Sequence, residues 1–234
     1  MVESFQTIPP PLCLTSLTGP YMMINVKILE RKVIAKDVFE IRFPKIFSFQ
    51  AGQVIDLIVS DFPSRIYSIA SGEEDNYIAI LFDVKTEGKV TPVLGTMTKG
   101  DKVSISKPYG NFTSSTEPAI WIASGTGIAP FYAMFRSGLG VNKMLIHGGR
   151  KIASFYYQHD FSPVLGKNYA RCCSQEKGEG LFEGRLTDYL KNLEFLPPAQ
   201  KYYLCGSAEM VIEVRDILIS RNIPFGNILA EIYF

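Results

Sequence analysis

The sequence predicts a two-domain protein, an N-terminal antiparallel β-barrel followed by an α/β domain built on a parallel sheet. Two observations carry this. Between Ile24 and Ser106, short apolar runs with a two-residue period are divided by turn residues, the pattern of an antiparallel barrel. After Pro118 solidly apolar runs alternate with helix-period segments, which means βαβ units and right-handed crossovers. The polar, turn-rich stretch Phe112–Pro118 lies between the two patterns and divides the chain into domains 23–115 and 116–234.

The bulk properties narrow the class. A chain of 234 residues, 47% hydrophobic and 20% charged, can bury two modest cores. Its net charge of +1 gives no global field towards nucleic acid. No apolar run reaches the length of about 18 residues that a membrane helix needs, so no membrane insertion is expected. The four cysteines, Cys13, Cys172, Cys173 and Cys205, show neither metal-ligand spacing nor a disulfide framework. A cytoplasmic monomer without a metal site is therefore expected. Residues 1–22 carry one charge, Glu3, and a Pro9-Pro10-Pro11 run, without the basic start of a secretory signal. They read as an irregular extension.

In chain order, the barrel strands are expected at Val26–Arg31, Val38–Phe43, Gln53–Val59, Arg65–Ala70, Tyr77–Lys85 and Lys102–Ser106, with one helix at Val90–Thr98. In the second domain, strands are expected at Ala119–Ala123, Lys143–His147, Tyr169–Ser174, Lys201–Leu204 and Ile228–Tyr233. The helices between them are expected at Ile128–Ser137, Ser154–Phe161, Leu186–Asn192 and Ser207–Arg221. The last helix is amphipathic, with Met210, Val211, Val214, Ile217 and Leu218 on one face.

Several places carry chemistry. Arg65-Ile66-Tyr67-Ser68 joins a cation, a ring and a hydroxyl on one strand, with Arg65 and Tyr67 sharing a face. That pairing suits a ligand with a phosphate and a flat ring, and it equally suits an edge strand with ordinary surface side chains. The stretch Gly125-Thr126-Gly127-Ile128-Ala129-Pro130 is G-x-G-x-x-P between an apolar strand and a helix, the context of a dinucleotide loop. The acidic residue of an NAD-type unit is not evident about 20 residues on. The next strand ends instead at Gly148-Gly149-Arg150, and an Arg there could hold a 2′-phosphate. Ser174 and Arg185 end later strands and loops and are further candidates. Cys205-Gly206 closes another strand at the edge where parallel sheets bind ligands, although a cysteine there is also a common core residue. A Cys–His nucleophilic pair of Cys205 with His147 or His159 has no support in the flanking sequence. Glu231-Ile232-Tyr233-Phe234 puts two aromatics behind a carboxylate, which by position alone reads as core packing.

Taken together, these motifs resemble the ferredoxin/flavodoxin–NADP(+) reductase family over about residues 24–234. They follow the family's order: Ala51-Gly52-Gln53, R-x-Y-S at Arg65–Ser68, Lys99-Gly100-Asp101, the G-x-G-x-x-P loop, Leu204-Cys205-Gly206, and Glu231 before terminal aromatics. The resemblance implies an FAD barrel and an NADP(H) domain. Arg65, Tyr67, Ser68, Ile69, Lys89, Val90, Thr91 and Thr126 would hold FAD, with Tyr233 on the flavin ring and Phe234 near adenine. Gly125, Thr126, Gly127, Gly149, Arg150, Ser174, Arg185, Cys205 and Gly206 would hold NADP(H). Ser68, Cys205, Glu231 and Tyr233 would shape the hydride-transfer site at flavin N5. The implied activity exchanges hydride with NADP(H) and single electrons with ferredoxin or flavodoxin. A stand-alone NAD(P)H reductase serving free flavin or an oxygenase is the alternative. One departure bears on the nucleotide: Gln175 stands where related bacterial reductases commonly carry an Arg after the serine.

Overall fold

Alternating apolar residues between Ile24 and Ile105 produce seven short strands and one helix. These are β1 (Ile24–Lys27), β2 (Glu30–Ala35), β3 (Val38–Pro44), β4 (Val54–Ile58), β5 (Arg65–Ser68), β6 (Tyr77–Asp83), α1 (Val90–Thr96) and β7 (Lys102–Ile105). The computed structural model describes residues 22–233, without the side chain of Tyr233. The expectations for residues 1–21, for the ring of Tyr233 and for Phe234 lie outside the described residues.

All pairings here are antiparallel, in a four-stranded sheet ordered β1-β7-β4-β5 and a three-stranded sheet ordered β2-β3-β6. Two corners join the sheets into a barrel. At one, the expected strand Val26–Arg31 bends at Ile28-Leu29: β1 pairs with β7, while the Leu29 N–H donates to Arg42 O at 2.8 Å and β2 continues along β3. At the other, β5 ends at Ser68, short of the expected Ala70, and Ile69 bridges to Ile80 of β6. Ile41, Phe43, Ile55, Leu57, Ile69, Ile78, Ile80 and Ile105 fill the interior and are fully buried.

The second half alternates strand and helix: β8 (Ala119–Ser124), α2 (Ala129–Met134), β9 (Lys143–Gly149), α3 (Gln158–Leu165), β10 (Tyr169–Cys173), β11 (Leu181–Glu183), α4 (Leu186–Asn192), β12 (Lys201–Ser207), α5 (Ala208–Ser220) and β13 (Ile228–Tyr233). The strands form one parallel sheet in the order β11-β10-β9-β8-β12-β13. β8 shows why its sequence is apolar throughout. Ile120 and Ile122 pack with Val211, Val214 and Leu218 of α5 on one face, and Trp121 and Ala123 join Phe131 of α2 on the other. The predicted face of α5 is buried at all five positions.

Two further elements depart from expectation. The helix expected at Ser154–Phe161 begins at Gln158, because Tyr157 has φ +60°, which an α-helix cannot contain. The three-residue edge strand β11 went unpredicted, as a run that short has no readable period. Among the described residues no helix is long and apolar enough to cross a membrane.

The halves share a core. Ala51, Ala70, Ala79, Leu81 and Phe112 from the barrel side meet Trp121, Phe131, Tyr132 and Met134. Phe112 stands edge-on to both Phe131 (5.8 Å) and Tyr203 (5.5 Å). Contact of this extent and apolarity fixes their relative orientation.

Candidate active site

In the parallel sheet, β8 is followed by a strand on one side of it and β12 lies on the other, so the crevice above their carboxyl ends is a topological switch point. Two glycines let the chain close there. Gly127 lies so near the end of β12 that a Cβ on it would stand 2.3 Å from the Cys205 carbonyl oxygen. Gly206, at φ +154°, would carry a Cβ 2.4 Å from Ser124 Oγ. A side chain at Gly127 would meet the backbone of β12 and push the loop away from it, whereas one at Gly206 would meet the side-chain ends of Ser124 and Met210. The tight seat brings Gly125-Thr126-Gly127 beside Cys205-Gly206, and Pro130 occupies the first turn of α2, where its missing N–H has no partner to lose.

The barrel reaches the same place. Ser68 Oγ donates to Glu231 Oε2 at 3.0 Å, across 163 residues of sequence. Glu231 lies directly beside Cys205 in the β12–β13 register. Ser68 is 2% exposed and Cys205 fully buried. Burial pushes the Glu231 carboxyl up to about 7, against the pull of the Ser68 hydrogen bond. A cleft of about 390 Å³, lined by Asn111, Phe112, Leu229, Ala230 and Glu231, opens beside this pair. Asn111 and Phe112 carried no signal in the sequence, where Phe112 reads only as the start of a connecting segment.

Arg65 is exposed and Tyr67 half-buried, on the edge strand of the four-stranded sheet. The Tyr67 ring lies edge-on to Phe82 at 6.4 Å. Burial pushes its phenol up to about 12, and the charge of Arg65 pulls it back. Thr91 Oγ1 accepts the Lys85 N–H at 2.9 Å, closing the turn before α1, and Lys89 stands exposed at the helix start. Val90 and Ile69 point into the barrel core. The Ile69 N–H donates to Gln53 O at 3.0 Å, so neither its side chain nor its N–H is offered to a ligand.

At the other end of the crevice, the Ser174 and Gln175 N–H groups donate to Gly149 O and Arg150 O, at 3.0 and 2.9 Å, and join the two loops. Arg185 is held by Glu209 at 3.0 Å and Glu213 at 3.2 Å, and Lys177 by Glu183 at 2.8 Å. Arg150 is exposed and forms no ion pair among the described residues. His147 and Cys205 both flank Ala123 in register, one on each side of β8, which sets their backbones about 10 Å apart at ordinary strand spacing. His147 Nδ1 lies 3.0 Å from the Tyr169 hydroxyl, and burial lowers the imidazole to about 3. A Cys205–His147 couple is thereby ruled out.

The comparisons with known proteins bear on this arrangement. The oxidoreductase FAD-binding domain model matches residues 25–114, and the oxidoreductase NAD-binding domain model matches 121–216. A probable dihydroorotate dehydrogenase B (NAD(+)) electron transfer subunit from Pyrococcus horikoshii is 32% identical over 217 residues, covering 91% of this chain and 80% of that protein. The chain belongs to the ferredoxin–NADP(+) reductase family. Another relative, the toluate 1,2-dioxygenase electron transfer component of Pseudomonas putida, is 26% identical over 94% of this chain and 69% of its own length. A Neisseria gonorrhoeae ferredoxin NADP+ reductase with bound FAD and NADP shares the fold at a TM-score of 0.80 and 19% identity, over 91% of this chain and 99% of that one. The family accounts for the two-part fold, a barrel followed by a parallel sheet.

The residues present fit FAD. An exposed guanidinium, in no ion pair among the described residues, stands next to a half-buried phenol, and a buried hydroxyl follows where the barrel meets the crevice.

Proposed function

We propose that this reductase exchanges hydride between NADP(H) and FAD and passes single electrons to ferredoxin or flavodoxin. The observation that carries the reading is the Ser68–Glu231 hydrogen bond beside Cys205, which joins the barrel to the nucleotide half at the switch point. When bound, FAD would supply the redox chemistry, linking two-electron hydride exchange to one-electron transfer. The chain supplies position. Arg65 and Lys89 bind the pyrophosphate, and Tyr67 holds the flavin. Thr126 and Gly127 hold the nucleotide against Cys205-Gly206.

Ser68 and Glu231 hold a proton at the reacting edge. The carboxyl, raised to about 7, is about half protonated at neutral pH; in its protonated form it can donate to Ser68 Oγ, which frees the one Ser68 hydrogen for the ring. Cys205, fully buried on β12, excludes water from the face where hydride moves.

The 2′-phosphate reading rests on Arg150, which is exposed and forms no ion pair among the described residues, whereas Arg185 and Lys177 are engaged. A second reading, an NADH-using reductase that serves an oxygenase, is favoured by that same engagement of Arg185 and by neutral Gln175. It is also favoured by the likeness to the toluate dioxygenase component. The three described cysteines are thiols, which suits a cytoplasmic setting.

Stopped-flow reduction of the yellow protein with NADPH and with NADH, then reoxidation by purified ferredoxin and flavodoxin, tests all of this. Bleaching by NADPH and rapid reoxidation by a carrier is the expected result. A colourless protein that does not bind FAD would overturn it.

A further inference from the structure

We infer that Tyr157 and Glu40 form a positioning latch that sets the Ser68–Glu231 geometry from the far side of the domain contact; the inference rests on the reductase reading above. Glu40, on β3 of the barrel, is 3% exposed. A carboxylate that deep has to be fully partnered. Arg42 Nε donates to its Oε1 at 2.8 Å, and the Tyr157 hydroxyl donates to Oε2 at 2.8 Å, from a residue 117 positions away in the other half.

Tyr157 is held for this contact. It adopts φ +60°, a conformation a bulky non-glycine residue rarely takes, and its ring lies flat on Tyr132 at 3.7 Å and 3°. Tyr132 is itself tied to Asp160, its hydroxyl donating at 2.6 Å. Strain of this kind persists only where its surroundings over-determine it.

Two short backbone routes connect the latch to the site. From Glu40 the β3–β6 register leads to Leu81, whose neighbour Ile80 bridges to Ile69, the residue after Ser68. From Tyr132, α2 runs back to Gly127, which seats against the Cys205 carbonyl, and Cys205 pairs with Glu231. The latch thus holds both ends of the hydrogen bond at the reacting edge. A misplacement of about 1 Å there costs up to ~10²-fold in rate.

The test separates positioning from plain stability. Tyr157→Phe removes the donor. Glu40→Met removes the acceptor while Arg42 keeps Glu30 at 3.0 Å. In Glu40→Gln the amide can still serve both Arg42 and the Tyr157 hydroxyl. Each variant is purified with FAD, and the limiting rate of flavin reduction and the Kd of NADPH and NADH are read by stopped flow.

The expected result is a fall of about tenfold in the limiting rate for Tyr157→Phe and Glu40→Met, with Kd unchanged within about twofold and FAD retained, and Glu40→Gln close to wild type. Melting that falls while the limiting rate stays at wild type in either variant would reduce the pair to a structural brace and overturn the proposal. A wild-type chain that binds no FAD would overturn the reductase reading itself, a result that none of the variants produces on its own.

Discussion

Ser68 of the barrel and Glu231 of the last strand share a hydrogen bond of 3.0 Å, and the carboxyl that accepts it is raised to about 7. This has a measurable sign. The native chain keeps the Glu231 proton up to about pH 7, whereas the group's ordinary value, that of the unfolded chain, is 4.5. Between those values the native state binds more protons than the unfolded state, so this group's contribution to stability falls as pH rises through that window. Glu231→Gln removes the dependence. Its melting temperature should match wild type below about pH 4.5 and exceed it above about pH 7, as read by thermal unfolding over that range. Parallel curves for the two proteins would show that the buried carboxyl carries no such cost.

Alanine at Gly127 and at Gly125 should cost comparable stability but differ in its effect on β12 and on nucleotide binding. At Gly127 the new methyl would meet the Cys205 carbonyl at 2.3 Å, and overpacking of that kind costs about 1–3 kcal/mol. At Gly125 the space is open and only φ +56° opposes a side chain, at about 1–2 kcal/mol. Gly127→Ala should also displace β12 and weaken nucleotide binding at least tenfold, while Gly125→Ala leaves β12 in place. Urea unfolding and nucleotide titration of both variants check the contrast.

Lys143 anchors the segment between the two sheets. Buried under Trp121, its ammonium donates to Ser115 O at 2.8 Å and Glu117 O at 2.6 Å. Lys143→Met keeps the apolar stem and loses both charge-assisted bonds, worth about 1.5–3 kcal/mol each before water re-solvates the exposed carbonyls. A lower urea midpoint with an unchanged limiting rate of flavin reduction is expected. Desolvation lowers the Lys143 pKa, so its contribution to stability should grow as pH rises from that lowered value towards 10.5.

Arg150→Ala should raise the KM for NADPH by about 10-fold to 100-fold, the equivalent of ~1.5–3 kcal/mol, and leave the KM for NADH within about twofold. Steady-state kinetics with both nucleotides decides it. Equal effects on the two would remove Arg150 from the 2′-phosphate and favour the NADH reading.

Much of this protein is legible in the one-dimensional pattern, because the pattern records local causes. The apolar run of β8, buried on both faces, and the five buried positions of α5 follow from period alone. The placement of Gly125-Thr126-Gly127 between strand and helix follows from the same periods, but that this loop lies at a switch point rests on the strand order of the folded sheet. Tertiary structure decided what depends on distance through space. The bend at Ile28-Leu29 and the end of β5 at Ser68 arise from barrel closure, which takes a strand from one sheet to the other. The engagement of Arg185 by Glu209 and Glu213 depends on where α5 packs. Two of the bonds that join the halves, Ser68 to Glu231 and Tyr157 to Glu40, span 163 and 117 residues. No periodicity reaches that far. Only burial of the apolar faces around Phe112, Phe131 and Met134 brings those polar atoms within bonding distance, and once there the loss of water makes each bond necessary.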